Sequence, residues 1–292
     1  MSTSSPDPAI AHFGTDGMRR FQMGSVFGVR LPGDAGRELD EVGVPVQVAP
    51  YFTAADQSDA PLIGVFARHR GLRGPVAEIG TWLRIGSDGL AHLCVRPDGA
   101  VQATFMEHDE DDLFVSSDVA AFNASLAVLD RILPVIAASS GLSDAAAAFR
   151  QLNDELRRVD AGAFEDRESW WPRVLDDVRH TLNFPFSAAF EYVDHAGKTQ
   201  IATEATGPGR PHPEELVWQR LAGEGVAPEQ VRRVYCELQA CMMPGHYCAV
   251  WMQETFPAAE FTHSFDYGSD AESRETGLKE LMTHVAEQAN RR

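Results

Sequence analysis

Pro211-His212-Pro213-Glu214, read with Cys241 and Cys248 downstream, constrains this chain more than any other feature. An imidazole, two thiols and a carboxylate are useful together only if the fold brings them to one point. Three protein ligands leave a fourth position on a zinc ion for water, and one His with two Cys thiolates is a workable set for such an open site. The metal lowers the pKa of its water to about 7, which makes hydroxide available at neutral pH. A carboxylate beside the ion, but not bound to it, then takes the water proton and delivers it to a leaving group. Residues two apart at a helix start lie less than a full turn apart, so His212 reaches the ion while Glu214 lies beside the nucleophile. Arg233 to Leu238 reads as a strand, rich in β-branched and aromatic residues. Pro244-Gly245 reads as the opening of the next helix, where the missing N–H of proline costs nothing. The expected zinc ligands are therefore His212, Cys241 and Cys248, and the expected proton carrier is Glu214.

Each of these residues has an ordinary alternative. His212 can be a helix-start histidine, Glu214 a first-turn acid favoured by the helix dipole, and the cysteines small buried hydrophobes. Their joint order carries the metal reading. Cys236 alternates in direction with Cys241 along the strand and reads as packing, as does Cys94.

A chain of 292 residues is long enough for two domains with separate cores. No apolar run reads as long enough to span a bilayer, and Met1 to Pro8 lacks the basic region and apolar core of a secretory signal. A cytoplasmic protein is expected. Four cysteines over this length do not make a disulfide framework. The net charge is −18, with 11 Lys and Arg against 19 Asp and Glu in residues 1–150, and 14 against 24 in residues 151–292. Binding a nucleic acid polymer rests on phosphate neutralisation by basic side chains, so polymers are disfavoured. A small substrate or a basic protein partner suits this charge better.

Residues 1–11, rich in Ser and Pro, read as a disordered tail. Residues 12–142 are strand-rich, with extended segments at Gly43 to Val48 and Trp82 to Gly86 and a hairpin, Leu90 to Val95 with Val101 to Phe105, across Pro97-Asp98-Gly99-Ala100. Leu126, Leu129, Ile132 and Leu133 fall near helical spacing within a helix from Val119 to Ala138. The acidic run Glu107 to Asp112 reads first as a solvated loop, and as a function it offers a surface to a basic partner. Residues 143–160 read as a helical connector whose Phe149, Leu152 and Leu156 pack on a domain. Residues 161–292 open with a helix from Arg167 to Leu182, in which one of Trp170 and Trp171 is expected in the core and the other at the surface. A hairpin follows, Phe186 to Val193 with Lys198 to Thr206. After His212 come the strand, the cysteine loop, a helix to Thr255, a strand from Glu260 to Phe265 and a last amphipathic helix. His263, Phe265, Asp266 and Tyr267 lie at the strand end and read as packing and turn residues.

Two resemblances follow from these residues. Hairpin, helix with His-Pro-Glu, strand, Cys241 to Cys248, helix, strand, helix is similar to the cytidine deaminase-like superfamily, with its H-x-E and P-C-x-x-C signature. Val234 to Cys241 resembles the first zinc-cysteine strand of toxin-type nucleic acid or nucleotide deaminases. Ala240 stands where that family usually has proline, and six residues separate the cysteines where the signature has two. Phe13 to Gly17, Gly43-Val44-Pro45, Trp82 to Gly86, Cys94 to Val101 and Phe114 to Phe122 resemble the fourth subfamily of the SUKH immunity proteins. That second resemblance implies an α+β fold with a mixed sheet and a toxin-neutralising role. The first implies a three-layer α/β cytidine deaminase-like fold.

The expected function is a zinc-dependent hydrolytic deaminase of a cytosine- or adenine-type base, nucleoside or nucleotide, fused to a SUKH-like binding module. The rival is an immunity protein that neutralises a toxin and whose deaminase-like half is a catalytically retired scaffold.

Overall fold

The computed structural model describes residues 7–23, 31–72, 78–108, 110–183 and 186–290. Phe184 and Pro185, which follow the helix expected to end at Leu182, and Asp109 in the acidic run lie outside them. The chain divides into two compact units: Met1–Leu133 with Arg150–Val174, and Pro134–Phe149 with Leu175–Arg292.

The first unit begins with α1 (Pro8–Phe13), where Asp7 Oδ1 accepts the Ala9 N–H at 2.8 Å. The tail expected to fray to residue 11 is thus helical from Pro8, because an acid one position before proline caps the turn. There follow β1 (Met18–Arg19), α2 (Gly33–Arg37) continued by a wider turn to Val42, β2 (Val44–Pro45), β3 (Gln47–Val48), β4 (Phe52–Ala54) and α3 (Ile63–Arg70). Strands β5 (Leu83–Ser87), β6 (His92–Val95), β7 (Val101–Thr104) and β8 (Leu113–Ser116) complete a sheet in the order β3-β4-β5-β6-β7-β8. Each strand lies beside its neighbour in sequence, and every pairing described is antiparallel. Among the described residues this sheet is antiparallel throughout, not the mixed sheet implied by the resemblance, since strands paired in chain order need no crossover between parallel neighbours. The β6–β7 turn is the one its chemistry predicts: Asp98 Oδ1 accepts the Ala100 N–H at 3.2 Å, and Gly99 takes φ +93°.

Helix α4 (Val119–Ala137) has 19 residues and mean hydropathy 1.6, long and apolar enough to cross a membrane by length and composition alone. That corrects the reading of no such run. Its Val119, Phe122, Leu126, Leu129 and Ile132 are buried at three- and four-residue spacing, the stripe of a core helix. Helix α5 (Leu142–Val159) covers the connector, with Leu152 and Leu156 buried. Asp160 then accepts both the Ser117 backbone N–H at 2.7 Å and its hydroxyl at 2.8 Å. Helix α6 (Trp170–Asn183) follows. Trp170 and Trp171 are both fully buried, edge to face at 4.8 Å, so neither covers surface as expected. Trp170 Nε1–H donates to the buried Asp88 carboxylate at 2.8 Å, which satisfies the indole that burial would otherwise leave unpaired.

Arg84 gives this unit a pH dependence. Its Nε–H donates to His92 Nδ1 at 3.2 Å, and its guanidinium lies 4.1 Å over the Phe66 ring. Burial first, and the Arg84 charge second, push the His92 pKa down to about 4. A folded value below the unfolded one means that the unfolded chain takes up the proton first. The stability is therefore intact above about pH 6.5 and falls as pH drops toward 4, by roughly 3 kcal/mol in all. Urea midpoints at pH 7 and pH 4.5 should show this fall, and His92→Gln should flatten it; parallel pH profiles for the two proteins would refute it.

The second unit holds β9 (Ser187–Val193), β10 (Thr199–Ala205), α7 (Pro213–Gly223), β11 (Val231–Leu238), α8 (Cys248–Thr255), β12 (Glu260–Phe265) and α9 (Ala271–Asn290). Its sheet runs β10-β9-β11-β12, with β11 and β12 parallel and the other pairs antiparallel. A parallel pair needs a crossover, and α8 supplies it. Phe190, Val217, Leu221, Val234, Met252 and Phe256 form the centre of its core. Strand β11 ends at Leu238, in the middle of the sheet, so the residues after it emerge beside the start of α7.

Candidate metal centre

His212 sits at the start of α7 in extended backbone, φ −63° and ψ 153°, between two prolines that restrict it. Its backbone N–H donates to Glu215 Oε2 at 2.8 Å. Cys241 lies three residues beyond β11, and Cys248 is the first residue of α8. Each sulfur is 3.4 Å from His212 Nδ1, and the three side chains are buried. A tetrahedral zinc with ordinary bond lengths has an N···S edge of about 3.5 Å. The donor set fits that ion in chemistry and in spacing.

The helix expected to open at Pro244 begins at Cys248 instead. Gly245 takes φ +80° and Tyr247 φ +44°, and a left-handed residue cannot continue a right-handed helix. Both the His246 and Tyr247 N–H groups close on Met243 O, and Cys241 O accepts the Ala249 N–H at 3.1 Å. This tight turn folds the long cysteine loop back on itself. Placing a bulky residue at positive φ costs of order 1–3 kcal/mol, and the turn spends it on bringing the second thiol to the first.

The other edge of His212 is equally committed. Nε2 lies 2.9 Å from Asp177 Oδ1 on α6. A carboxylate only accepts, so the Nε2 proton stays there and Nδ1 is the nitrogen that faces the thiols. His246 stacks on His212, ring centroids 3.9 Å apart and planes 6° from parallel. Its Nε2 is 3.3 Å from Asp177 Oδ2 and its Nδ1 2.8 Å from Glu215 Oε2. Burial and the His212 charge would lower the His246 pKa, but two carboxylates outweigh them and raise it to about 9. Asp177 is pulled well below the usual carboxylate range by the two imidazoles, against its burial.

Asp177, His212 and His246 also lie close enough together to suggest a metal triad. Their geometry excludes it. A ligated ion lies in the plane of each imidazole that binds it, and two stacked parallel rings share no plane. His212, Cys241 and Cys248 are the group that can close on one ion.

Without a metal, the triad holds an imidazolium beside a thiolate. Burial alone would lower the His212 pKa, but Asp177 and the Cys241 sulfur raise it well above the ordinary value. Burial would raise Cys241, but the Cys248 thiol and the His212 charge bring it well below. Cys248 is raised, by burial and by its hydrogen bond to Cys241. The proton of one sulfur is thus moved to the imidazole, and metal binding must still release two protons, one from His212 Nδ1 and one from the second thiol.

Glu214 is 2 % exposed, and burial raises its pKa. The Cys236 thiol hydrogen-bonds to its carboxyl group, so Cys236 is a contact of that group as well as buried filling. Glu214 Oε2 has no hydrogen-bond partner among the described residues. Glu214 lines a narrow cleft together with His212, Cys241, Phe186, His180 and Tyr267, and this cleft has room for about one water. Tyr267 is held by its backbone N–H to Gln239 Oε1 at 3.0 Å. Helix α9 presses on the same turn at Gly277, where a Cβ would meet Asp266 O at 1.8 Å.

The sequence pattern pointed to four of these side chains and missed Asp177, His180, Glu215 and His246, while Tyr267 was read as packing. Asp177 and His180 are three apart on one helix face, a spacing that could have marked them. Asp177→Asn should weaken zinc about 10- to 100-fold in a chelator competition, the usual cost of losing the partner that orients a ligating histidine. An unchanged affinity would show that Asp177 does not orient the ring.

Residues 185–284 match the family described as Xanthomonas-like deaminase, so the second unit carries a deaminase-like domain with side chains able to hold a metal. Residues 6–177, more than half of the chain, match the SUKH-4 immunity protein family, and the chain belongs to it. The immunity domain comes first and the deaminase-like domain second, the fusion that both resemblances imply. No curated protein and no solved structure matches the chain.

Proposed function

We propose that the second unit is a zinc-dependent hydrolytic deaminase of three-layer cytidine deaminase-like fold, acting on a cytosine- or adenine-type base, nucleoside or nucleotide. The observation that carries this reading is the meeting of His212 Nδ1 with the Cys241 and Cys248 sulfurs at 3.4 Å, beside a cleft lined by His212, Cys241 and Glu214, whose Oε2 has no partner among the described residues. His212, Cys241 and Cys248 would hold zinc, which supplies Lewis acidity when bound. Glu214 takes a proton from the attacking water and passes it to the departing amino group, so water enters and ammonia leaves with no net proton change. Its raised pKa suits a group that must both accept and return a proton near neutrality. Asp177 and His246 fix the His212 ring. Phe186 and Leu238 give the cleft apolar lining.

The immunity domain binds a basic toxin in this proposal. Glu107, Glu110, Asp111 and Asp112 are exposed, and the net charge of −18 would speed encounter with a cationic partner. Four free cysteines support a reducing, cytoplasmic setting.

One observation favours the rival, a retired scaffold: the cleft has room for about one water, well short of ligand pockets, which run roughly 300–1,000 Å³. Zinc content of the purified protein and ammonia release from a panel of bases, nucleosides and nucleotides separate the two. About one zinc per chain with ammonia release supports the enzyme. Zinc without ammonia release, or neither, supports the scaffold.

A further inference from the structure

Besides Glu214 Oε2, a second buried polar atom of the cleft has no partner among the described residues: His180 Nε2. His180 is 4 % exposed on α6. An unsatisfied buried donor or acceptor costs about 1–3 kcal/mol, and such a group in a cleft calls for a partner that arrives from outside. Its other ring nitrogen, Nδ1, is hydrogen-bonded to the Tyr267 hydroxyl, and the two rings meet edge to face at 5.2 Å. Burial pushes the His180 pKa down to about 3 and the Tyr267 pKa well up, so both groups are neutral at pH 7.

A neutral imidazole and a phenol carry two protons over Nε2, Nδ1 and Oη, and the bond between them uses one. One donor always remains. It is Nε2–H when Tyr267 donates, and the Tyr267 O–H when Nδ1 donates; the remaining atom is then an acceptor. The pair thus offers one donor and one acceptor to whatever occupies the cleft, and a bare C–H edge satisfies neither.

We infer that His180 and Tyr267 form the hydrogen-bonding edge that recognises the substrate ring, and that this edge selects an aminopyrimidine with a ring carbonyl over an aminopurine. The inference rests on the deaminase reading and narrows its two ring classes to one. Next to the ring nitrogen that flanks the amino-bearing carbon, a cytosine-type ring has a carbonyl, which accepts the donor of the pair. An adenine-type ring has C–H there and leaves the buried donor unpaired. Sites built to hydrogen-bond reject analogues that lack the partner far more strongly than apolar pockets reject a missing methylene.

The test is calorimetric titration of cytidine and of adenosine into the full-length Glu214→Gln protein, with zinc content measured alongside. Cytidine should bind at least about 100-fold more tightly than adenosine. Adding Tyr267→Phe, or His180→Asn, which places an amide nitrogen near Nδ1 and deletes Nε2, should weaken cytidine about tenfold with zinc unchanged. Equal affinity for the two nucleosides, no saturable cytidine binding, or cytidine affinity unmoved in both double variants would overturn the inference. Cytidine binding with the expected losses, in a protein that releases no ammonia when Glu214 is intact, would sink the deaminase reading and leave the recognition edge standing.

Discussion

Replacing Glu214 by glutamine is expected to lower the deamination rate by about 10²- to 10⁴-fold and to leave the zinc in place. The two side chains have nearly the same shape, so the buried cleft stays packed and the change is chemical. A carboxylate accepts a proton and gives it back, and an amide does neither at neutral pH. The effect should fall on kcat, because the proton moves after the ring has bound. Steady-state rates of ammonia release from the accepted substrate, with metal content determined on the same preparations, decide the matter. Wild-type rates in the variant would remove Glu214 from the chemistry, whatever the metal content.

Replacing Cys241 by serine is expected to strip zinc from the protein, a larger loss of affinity than the roughly 10- to 100-fold expected when an outer partner such as Asp177 is changed. A neutral hydroxyl is a poor substitute for a thiolate toward zinc. Cys241 is also one of the two sulfurs that lie 3.4 Å from His212 Nδ1, so its loss opens one side of the ligand set. Elemental analysis should fall from about one zinc per chain to near none. Because an ion that binds only the folded state stabilises it by mass action, the zinc-dependent rise in unfolding temperature should vanish as well. Cys94→Ala, in the other unit, should keep its zinc. Stoichiometric zinc in the Cys241→Ser protein would show that the triad does not hold the ion.

Local signals carried much of the fold. The β9–β10 hairpin follows from Asp194, whose carboxylate accepts the Ala196 and Lys198 N–H groups at 2.9 Å each and so sets the turn beside Gly197. Helix α4 and strand β11 follow from the spacing of their apolar residues. Strands β1 to β4 have two or three residues each, too few for any alternation to register, and they exist because neighbouring strands supply the hydrogen bonds. The same limit governed the site. His212 and Glu214 share a helix start and the cysteines share a loop, so their proximity is written in short spacings. Asp177 reaches His212 from a helix 35 positions earlier, and only the packed sheet and helices bring that carboxylate to the ring. The cysteine loop was legible as a loop, but its left-handed Tyr247 was not: a tyrosine gives no hint of positive φ, and the tertiary closure of the two sulfurs imposes it.

Gly277 has a consequence for how this domain can change. It touches neither ring edge nor sulfur, yet its missing side chain is what lets the final helix lie against Asp266 and hold the neighbouring tyrosine in the wall. A single methyl group there would shove that wall aside. If the proposed enzyme is what this unit is, its tolerance for different nucleobases is tuned from a position on the outer scaffold, ten residues past the side chain it moves, and a lineage drifting toward a new ligand has a lever that leaves every reacting atom untouched.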